Sequence, residues 1–336
     1  MNINEIAKLA GVSRATVSRY LNHGYISEEK KERIRQVIEE TGYRPLSSAQ
    51  TLRSKKTNFI GVIIPKINSD SIGRMVSGIN RILSREGYQI LLACTENNEK
   101  EELRFLTLFK ENHVDGIILV GTIFTAEHRR ALKELSVPIV ILSQYLPGYS
   151  CVYSDDYRAA RDLAEYLTER GKCFGYLGVT LKDEAVGRRR LEGVTEGCAA
   201  GGCQLPWENI RECSFQMESG FEQAKDLIES APEIDTLICA TDTIAVGALQ
   251  YLKSIGKKVP EEVQIAGIGD STMARVTEPA LTTVHLYYEE AGKEAAELLV
   301  ELIGKGAEAV QKEVKLDCRL IVQDSTRTLS EKGSRG

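Results

Sequence analysis

Three groups of residues in this chain have types and spacing that could do chemistry. The first is Ser13-Arg14-Ala15-Thr16-Val17-Ser18-Arg19, followed closely by Asn22. Arginine reads the acceptor edge of guanine, while hydroxyls and amides suit phosphate oxygens. The second is Gly187-Arg188-Arg189-Arg190-Leu191-Glu192-Gly193. Three consecutive arginines on a helix point in three directions, so at most one or two face a given cleft. A guanidinium fork there suits sugar hydroxyls or an anion. The third is Asp155-Asp156, a carboxylate pair of the kind used in general acid–base work. It precedes a helix start expected near Tyr157, where capping accounts for one of the two without catalysis. The chain has no G-x-S-x-G elbow, no Walker loop and no G-x-G-x-x-G run opening a helix. Binding without turnover is the expectation: not an enzyme, no catalytic residue and no cofactor.

These groups need elements to hold them. From Phe59 onward, apolar runs alternate with amphipathic stretches. Phe59–Ile64 precedes a helix expected near 72–86, and Tyr88–Ala93 precedes one near 99–112. Gly116–Val120 and Pro138–Leu142 continue the rhythm, which restarts at Phe174–Gly178, Asp235–Ala240 and Val263–Ile268. Alternation of this kind predicts α/β architecture, here two doubly wound parallel-sheet subdomains. Ligand residues in such halves follow strand ends at a cleft between them. The candidates by position are Lys66, Asn68, Ser69 and Ser71 after the first run, Gln144 after the fourth, then Asp155, Thr241 and Asp242. Lys66 is either a point charge for a phosphate or a solvated surface lysine. Asp242 is either a cleft group or an acid placed at a helix start by the dipole.

The first group sits on a different scaffold. Residues 4–40 read as three short helices. Asn4 is expected to cap the first, with Ile6, Leu9 and Ala10 on one face; Ser13 caps Arg14–Leu21; Ser27 starts the third, with Ile34, Val37 and Ile38 inward. Two helices around a Gly-containing turn fit an all-α helix-turn-helix head. Charge agrees. Residues 1–58 carry eleven Lys/Arg against six acids, a net +5, while the remainder carries −10. A basic head on an acidic body is the electrostatic footprint of nucleic-acid binding through one small segment.

The run Ile6-Ala7-Lys8-Leu9-Ala10-Gly11-Val12-Ser13, with Thr16-Val17-Ser18-Arg19 and Asn22, resembles the head of LacI-type transcriptional regulators. The resemblance extends over about residues 2–326, the body being similar to that family's periplasmic-binding-protein-like core. It implies that Arg14 and Ala15 hold the two operator-choosing positions and that Arg19 is a further base contact. Ser13, Thr16, Ser18 and Asn22 would lie on the DNA backbone. It also implies a hinge helix near 46–58, in which Leu52 wedges into the minor groove, with Ala49 and Gln50 at matching positions. The family's Asn after Pro45 is Leu46 here, which puts backbone contacts there in doubt. Within the body, the family's Arg-x-x-Gly pattern picks Arg190 as the ligand-binding arginine. Phe215 falls where relatives keep a ring over the sugar, or else it is core. Where the family has a cleft aspartate this chain has Gly269, and Asp270 stands as the replacement candidate. The strings Tyr176–Val179, Gly187–Arg190, Cys239–Thr243 and Gly269-Asp270 are similar to the trehalose and sucrose repressors of the family. The implied function is a homodimeric repressor of a carbohydrate-utilisation operon, released from a palindromic operator by a disaccharide or its phosphate. The alternative is a co-repressed or catabolite-control regulator of the same fold, or a sugar-binding protein without a regulatory role.

Bulk properties bound these expectations. A chain of 336 residues favours two or three domains. The expected divisions are 1–45 (DNA-binding), 46–58 (hinge), 59–168 with 287–318 (first effector subdomain), 169–286 with 319–328 (second) and a tail at 329–336. The start Met1-Asn2-Ile3-Asn4-Glu5 has neither the basic nor the apolar stretch of a secretory signal, and no apolar run could span a bilayer, so a cytoplasmic protein without membrane contact is expected. Eight scattered cysteines form no C-x-x-C pair. Cys198 and Cys203 are the only close two, so free thiols and no metal site are expected.

Overall fold

The computed structural model describes residues 1–21, 24–43 and 56–328. It separates into two compact units, Met1–Thr57 and Asn58–Gly336.

In the first unit, helices α1 (Ile3–Leu9), α2 (Arg14–Leu21) and α3 (Glu28–Thr41) surround a small core of Ile6, Ala7, Ala10, Val17 and Ile34. Asn2, not Asn4, caps α1. Its side chain accepts from the backbone of Asn4 and Glu5, and the Glu5 carboxylate in turn accepts the Asn2 N–H. Leu9, expected inward, is 59% exposed. Successive helical residues are rotated by about 100°, so with Ile6 and Ala10 inward, Leu9 projects off the packed stripe. Gly11 then turns the chain with φ +61°, and the Ser13 hydroxyl accepts the Thr16 N–H at 3.2 Å to start α2.

The second unit begins with β1 (Phe59–Ile64), α4 (Asp70–Arg85), β2 (Gln89–Cys94), α5 (Glu99–Glu111), β3 (Gly116–Val120), α6 (Ala126–Lys133), β4 (Ile139–Leu142) and β5 (Ser150–Ser154). The chain then crosses to a second half: α7 (Asp156–Thr168), β6 (Phe174–Gly178), α8 (Arg190–Ala200), β7 (Ile210–Glu212), α9 (Met217–Ser230), β8 (Thr236–Cys239), α10 (Asp242–Ser254), β9 (Gln264–Ala266), α11 (Thr272–Val276) and β10 (Thr283–Leu286). It returns for α12 (Tyr288–Lys305) and β11 (Glu313–Leu316), and crosses once more into β12 (Cys318–Ile321). The first half is a six-stranded parallel sheet, β11-β5-β4-β3-β1-β2; the second is a four-stranded parallel sheet, β7-β6-β8-β9, beside an antiparallel β10–β12 pair.

The expected boundaries move slightly. α7 was assigned to the first subdomain, but Ala159, Ala160, Leu163, Ala164 and Leu167 are buried in the second half's core with Phe174 and Leu177. An apolar stripe goes where it can be buried, so the crossing lies at Asp155, ahead of the helix. Cys318 likewise belongs to the second half, paired opposite Leu286. α4 and α12 approach so closely that a Cβ on Gly78 would stand 2.0 Å from the Glu289 carbonyl oxygen. All eight cysteines are free thiols.

Candidate functional site

On the first unit, Ser13, Arg14, Ala15 and Arg19 are exposed along α2, with Thr16 and Ser18 half-buried beside them. On α3 three of the four bases are tied to neighbouring acids: Lys31 to Glu28, Arg33 to Glu29, Arg35 to Glu32 and Glu39. Among the described residues, Arg14 and Arg19 enter no salt bridge. They are exposed and available to a phosphate or a base edge. Asn22, Ala49 and Leu52 lie outside the described residues.

In the second unit, an inner cavity of about 150 Å³ lies between the halves, beside an outer mouth of about 950 Å³ that shares part of its lining. Lys66, Ser69, Ser71, Gln144, Arg190, Phe215, Thr241 and Asp242 all line the inner cavity, bringing together eight of the eleven expected ligand residues. All but Arg190 converge because they follow strand ends on the side where the halves meet.

Arg190 is the electrostatic centre of this site and is only 2% exposed. Its Nε donates to Asp156 Oδ1 at 2.7 Å, its Nη2 lies 2.6 Å from the same oxygen, and its Nη1 donates to the Ala240 carbonyl. Burial alone would lower the guanidinium, but Asp156 and the Tyr288 hydroxyl hold it above its ordinary value. Asp156 opens α7 and Tyr288 opens α12, so Arg190 ties together the segments just beyond two of the three crossings. A wide turn, Glu184–Arg189, delivers it there, closed by an i→i+5 bond from the Arg188 N–H to the Asp183 carbonyl at 3.0 Å. Turns of this width cluster at functional sites. A Cβ on Gly187 would stand 2.1 Å from the Thr180 oxygen, so the return path admits only glycine. Arg188 and Arg189 pair outside with Glu184 and Glu192.

Several contacts cross the cleft. Lys66 Nζ donates to the Phe215 carbonyl at 3.1 Å and sits 5.3 Å from that ring's centre; burial lowers its ammonium. Gln144 Nε2 donates to Asp183 Oδ1 at 2.8 Å. Arg74 on α4 donates to the carbonyls of Gly269 and Asp270, at 3.3 and 3.1 Å. Asp242 faces the cavity but spends its oxygens on Thr283 Oγ1 and the Ser271 N–H, at 2.5 and 2.7 Å. Burial nevertheless raises its carboxyl.

Three expected ligand residues are not in the inner cavity. Asp155 caps α7 through the Arg158 N–H and pairs with Lys315 at 2.9 Å; of the two neighbours it is Asp156 that lines the cavity. Asp270 points away, held by Arg275 at 2.7 Å and His285 at 2.7 Å, which keep it below its ordinary value despite burial. It does not replace the missing cleft aspartate. Asn68 is exposed in the outer mouth. Sequence reasoning missed Asp183, Tyr153 and Tyr288. Asp183 had a legible signal, a cap-type residue just ahead of the arginine run; Tyr288 had none, because its role depends on the chain's return crossing.

Among the described residues, no cluster of three His, Cys, Asp or Glu could hold a metal, and no helix is long and apolar enough to cross a membrane. Residues 2–46 match the model of bacterial regulatory proteins of the lacI family, and residues 164–326 match the periplasmic binding protein-like domain. The sucrose operon repressor of Staphylococcus xylosus is 33% identical, over 90% of this chain and 93% of that protein. Catabolite control protein A of Streptococcus mutans is 30% identical, over 94% and 95%. A solved complex of the transcriptional regulator CelR with cellobiose superposes with a TM-score of 0.75 at 28% identity, over 97% and 99% of the two chains. The exposed arginines on a helix-turn-helix, the two-halved cleft and these matches lead to one conclusion: the chain belongs to the LacI family of bacterial regulatory proteins, a DNA-binding transcriptional repressor and not an enzyme.

Proposed function

We propose that this protein represses a carbohydrate-utilisation operon and is released from its operator by a disaccharide or disaccharide phosphate of the sucrose or trehalose type. The observation that carries this is the inner cavity: an aromatic ring, Phe215, beside Lys66, with Arg190 and Asp156 fixed at its floor. Aromatic faces stack on sugar rings, and fixed polar groups orient hydroxyls. The kinship with a sucrose operon repressor supports the class.

Two heads would read the half-sites of a palindromic operator, so the working species is a homodimer. Edge strand β2 supports pairing: Leu91 and Leu92 are 36% and 44% exposed, an apolar edge that a lone protomer leaves open. Arg14 and Ala15 would choose the operator bases, with Arg19 adding a contact and Ser13, Thr16, Ser18 and Asn22 on phosphates. Ala49 and Leu52 would serve a hinge in the minor groove. The cytoplasm, where a bacterial operator lies, is the site of action. Kinship with a catabolite control protein favours a second outcome, in which ligand strengthens DNA binding.

A thermal-shift screen of sucrose, trehalose and their 6-phosphates, followed by gel shifts on DNA selected from a random library, tests the proposal. It predicts a shift with at least one sugar and loss of the DNA complex on its addition. A tighter complex would establish the co-repressed reading, and no shift with any of these sugars would overturn the effector class.

A further inference from the structure

We propose that the Gln144–Asp183 bond is a closure latch, and that both are positioning residues that couple meeting of the two halves to the turn presenting Arg190. This rests on the effector-regulated cleft proposed above. Gln144 follows β4 in the first half, whereas Asp183 belongs to the second, and each is 2% exposed. The Gln144 amide nitrogen carries two hydrogens. One goes to the Thr122 carbonyl at 3.0 Å, which fixes the side chain to its own half. The other goes to Asp183 Oδ1 at 2.8 Å across the cleft. The nitrogen is thus fully committed to protein partners and has nothing left for an effector.

Asp183 passes the contact onward. The same Oδ1 accepts the Val186 N–H at 2.9 Å, while its carbonyl accepts the Gly187 and Arg188 N–H groups at 3.1 and 3.0 Å. These bonds close the turn that ends at Arg190, which in turn holds Asp156 and Tyr288 beyond the crossings. A path of hydrogen bonds, joined by the backbone between Arg188 and Arg190, therefore runs from a first-half side chain to the crossings. Opening the cleft removes the Gln144 partner from a carboxylate whose other charged neighbours are Asp156 and Arg190. The Lys66–Phe215 contact also spans the cleft, but it ends on a carbonyl outside this turn.

The test uses the full-length chain, hydrogen–deuterium exchange of the 183–190 segment, and calorimetry with sucrose and sucrose 6-phosphate as probes. Asp183→Asn keeps the Oδ1 acceptor for both bonds, so exchange of 183–190 in the sugar-free protein should stay within about twofold of wild type. Gln144→Ala should speed exchange of 183–190 in sugar-free protein and weaken the bound sugar roughly fivefold. Gln144→Glu sets two carboxylates in contact, so one of them titrates with a raised pKa. Its effect should reach roughly tenfold at pH 8 and shrink toward pH 5, after correction for intrinsic exchange, to a degree that wild type does not show. Folded Gln144→Ala protein with wild-type exchange at 183–190 would overturn the latch, and so would faster exchange spread evenly over the second half. If Gln144→Glu fails to fold, Gln144→Ala and Asp183→Asn decide. If neither sugar binds wild type while 183–190 responds as described, the sugar assignment fails and the latch stands.

Discussion

Arginine is used in two opposite ways in this chain. On α2, Arg14 and Arg19 are exposed and, among the described residues, without a salt bridge. In the cleft, Arg190 is buried and each of its three nitrogens has a partner. An exposed guanidinium contributes little until a partner arrives, and its charge stays fully hydrated until then. A buried one has lost that water, so its partners must already be present. The head therefore keeps its binding groups unspent, while the body keeps its central charge fixed and neutralised, so that recognition there depends on shape and closure.

The largest expected effect breaks the buried side of this contrast. Arg190→Leu strands Asp156 and should cost about 3–5 kcal/mol of folding stability in urea unfolding. Adding Asp156→Leu should recover part of that loss, because two apolar groups replace a pair rather than orphan a charge. Arg14→Ala should leave stability within about 0.5 kcal/mol. Its cost appears on DNA: about 1–3 kcal/mol of operator affinity with relaxed base preference at one position, and unchanged sugar binding.

A third test asks what burial does to a charge that has no arginine. Glu102 on α5 is 4% exposed and lies 3.3 Å from His128 Nε2 on α6. Burial, with the negative Glu99 nearby, pushes its carboxyl up to about 7. Between the ordinary carboxylate range and about 7, the folded protein holds a proton that the unfolded chain has released. That contribution is complete at acid pH and is lost as pH rises through about 7. Burial shifts His128 the opposite way, so its contribution is lost as pH falls. Glu102→Gln, which fixes the neutral form, should gain about 2–3 kcal/mol over wild type at pH 8 and less than about 1 kcal/mol at pH 5. An equal difference at both pH values would contradict this account. The smallest effect sharpens the cleft side: Phe215→Ala should weaken sugar binding by about 0.5–1.5 kcal/mol by calorimetry and leave DNA affinity in sugar-free protein unchanged.

Much of this organisation was legible in the residues. Apolar runs located β1–β4, β6, β8 and β9, since a strand buried on both faces must be continuously apolar, but not β5, β7 or β11, whose sequences are more polar. The family's Arg-x-x-Gly pattern placed Arg190 at the cavity, and strand-end logic placed Lys66, Gln144 and Thr241 there. It failed where two adjacent residues compete for one role. Of Asp155 and Asp156, one caps and the other faces the cleft, and only the direction of the crossing decides which. Asp270 misled for a related reason: at φ +47° its side chain is turned toward Arg275 and His285, on the far side of its loop. The assignment of α7 failed because amphipathicity says that a face is buried but not in which half.

The central claim is that the cleft controls the DNA-reading head, and linkage tests it directly. The affinity of sucrose or sucrose 6-phosphate, whichever binds, should be measured by calorimetry with and without saturating amounts of the selected palindromic duplex. Coupling of about 1–3 kcal/mol is expected, with the DNA weakening the sugar by the same factor by which the sugar weakens the DNA. Equal sugar affinity in the two titrations would contradict the account.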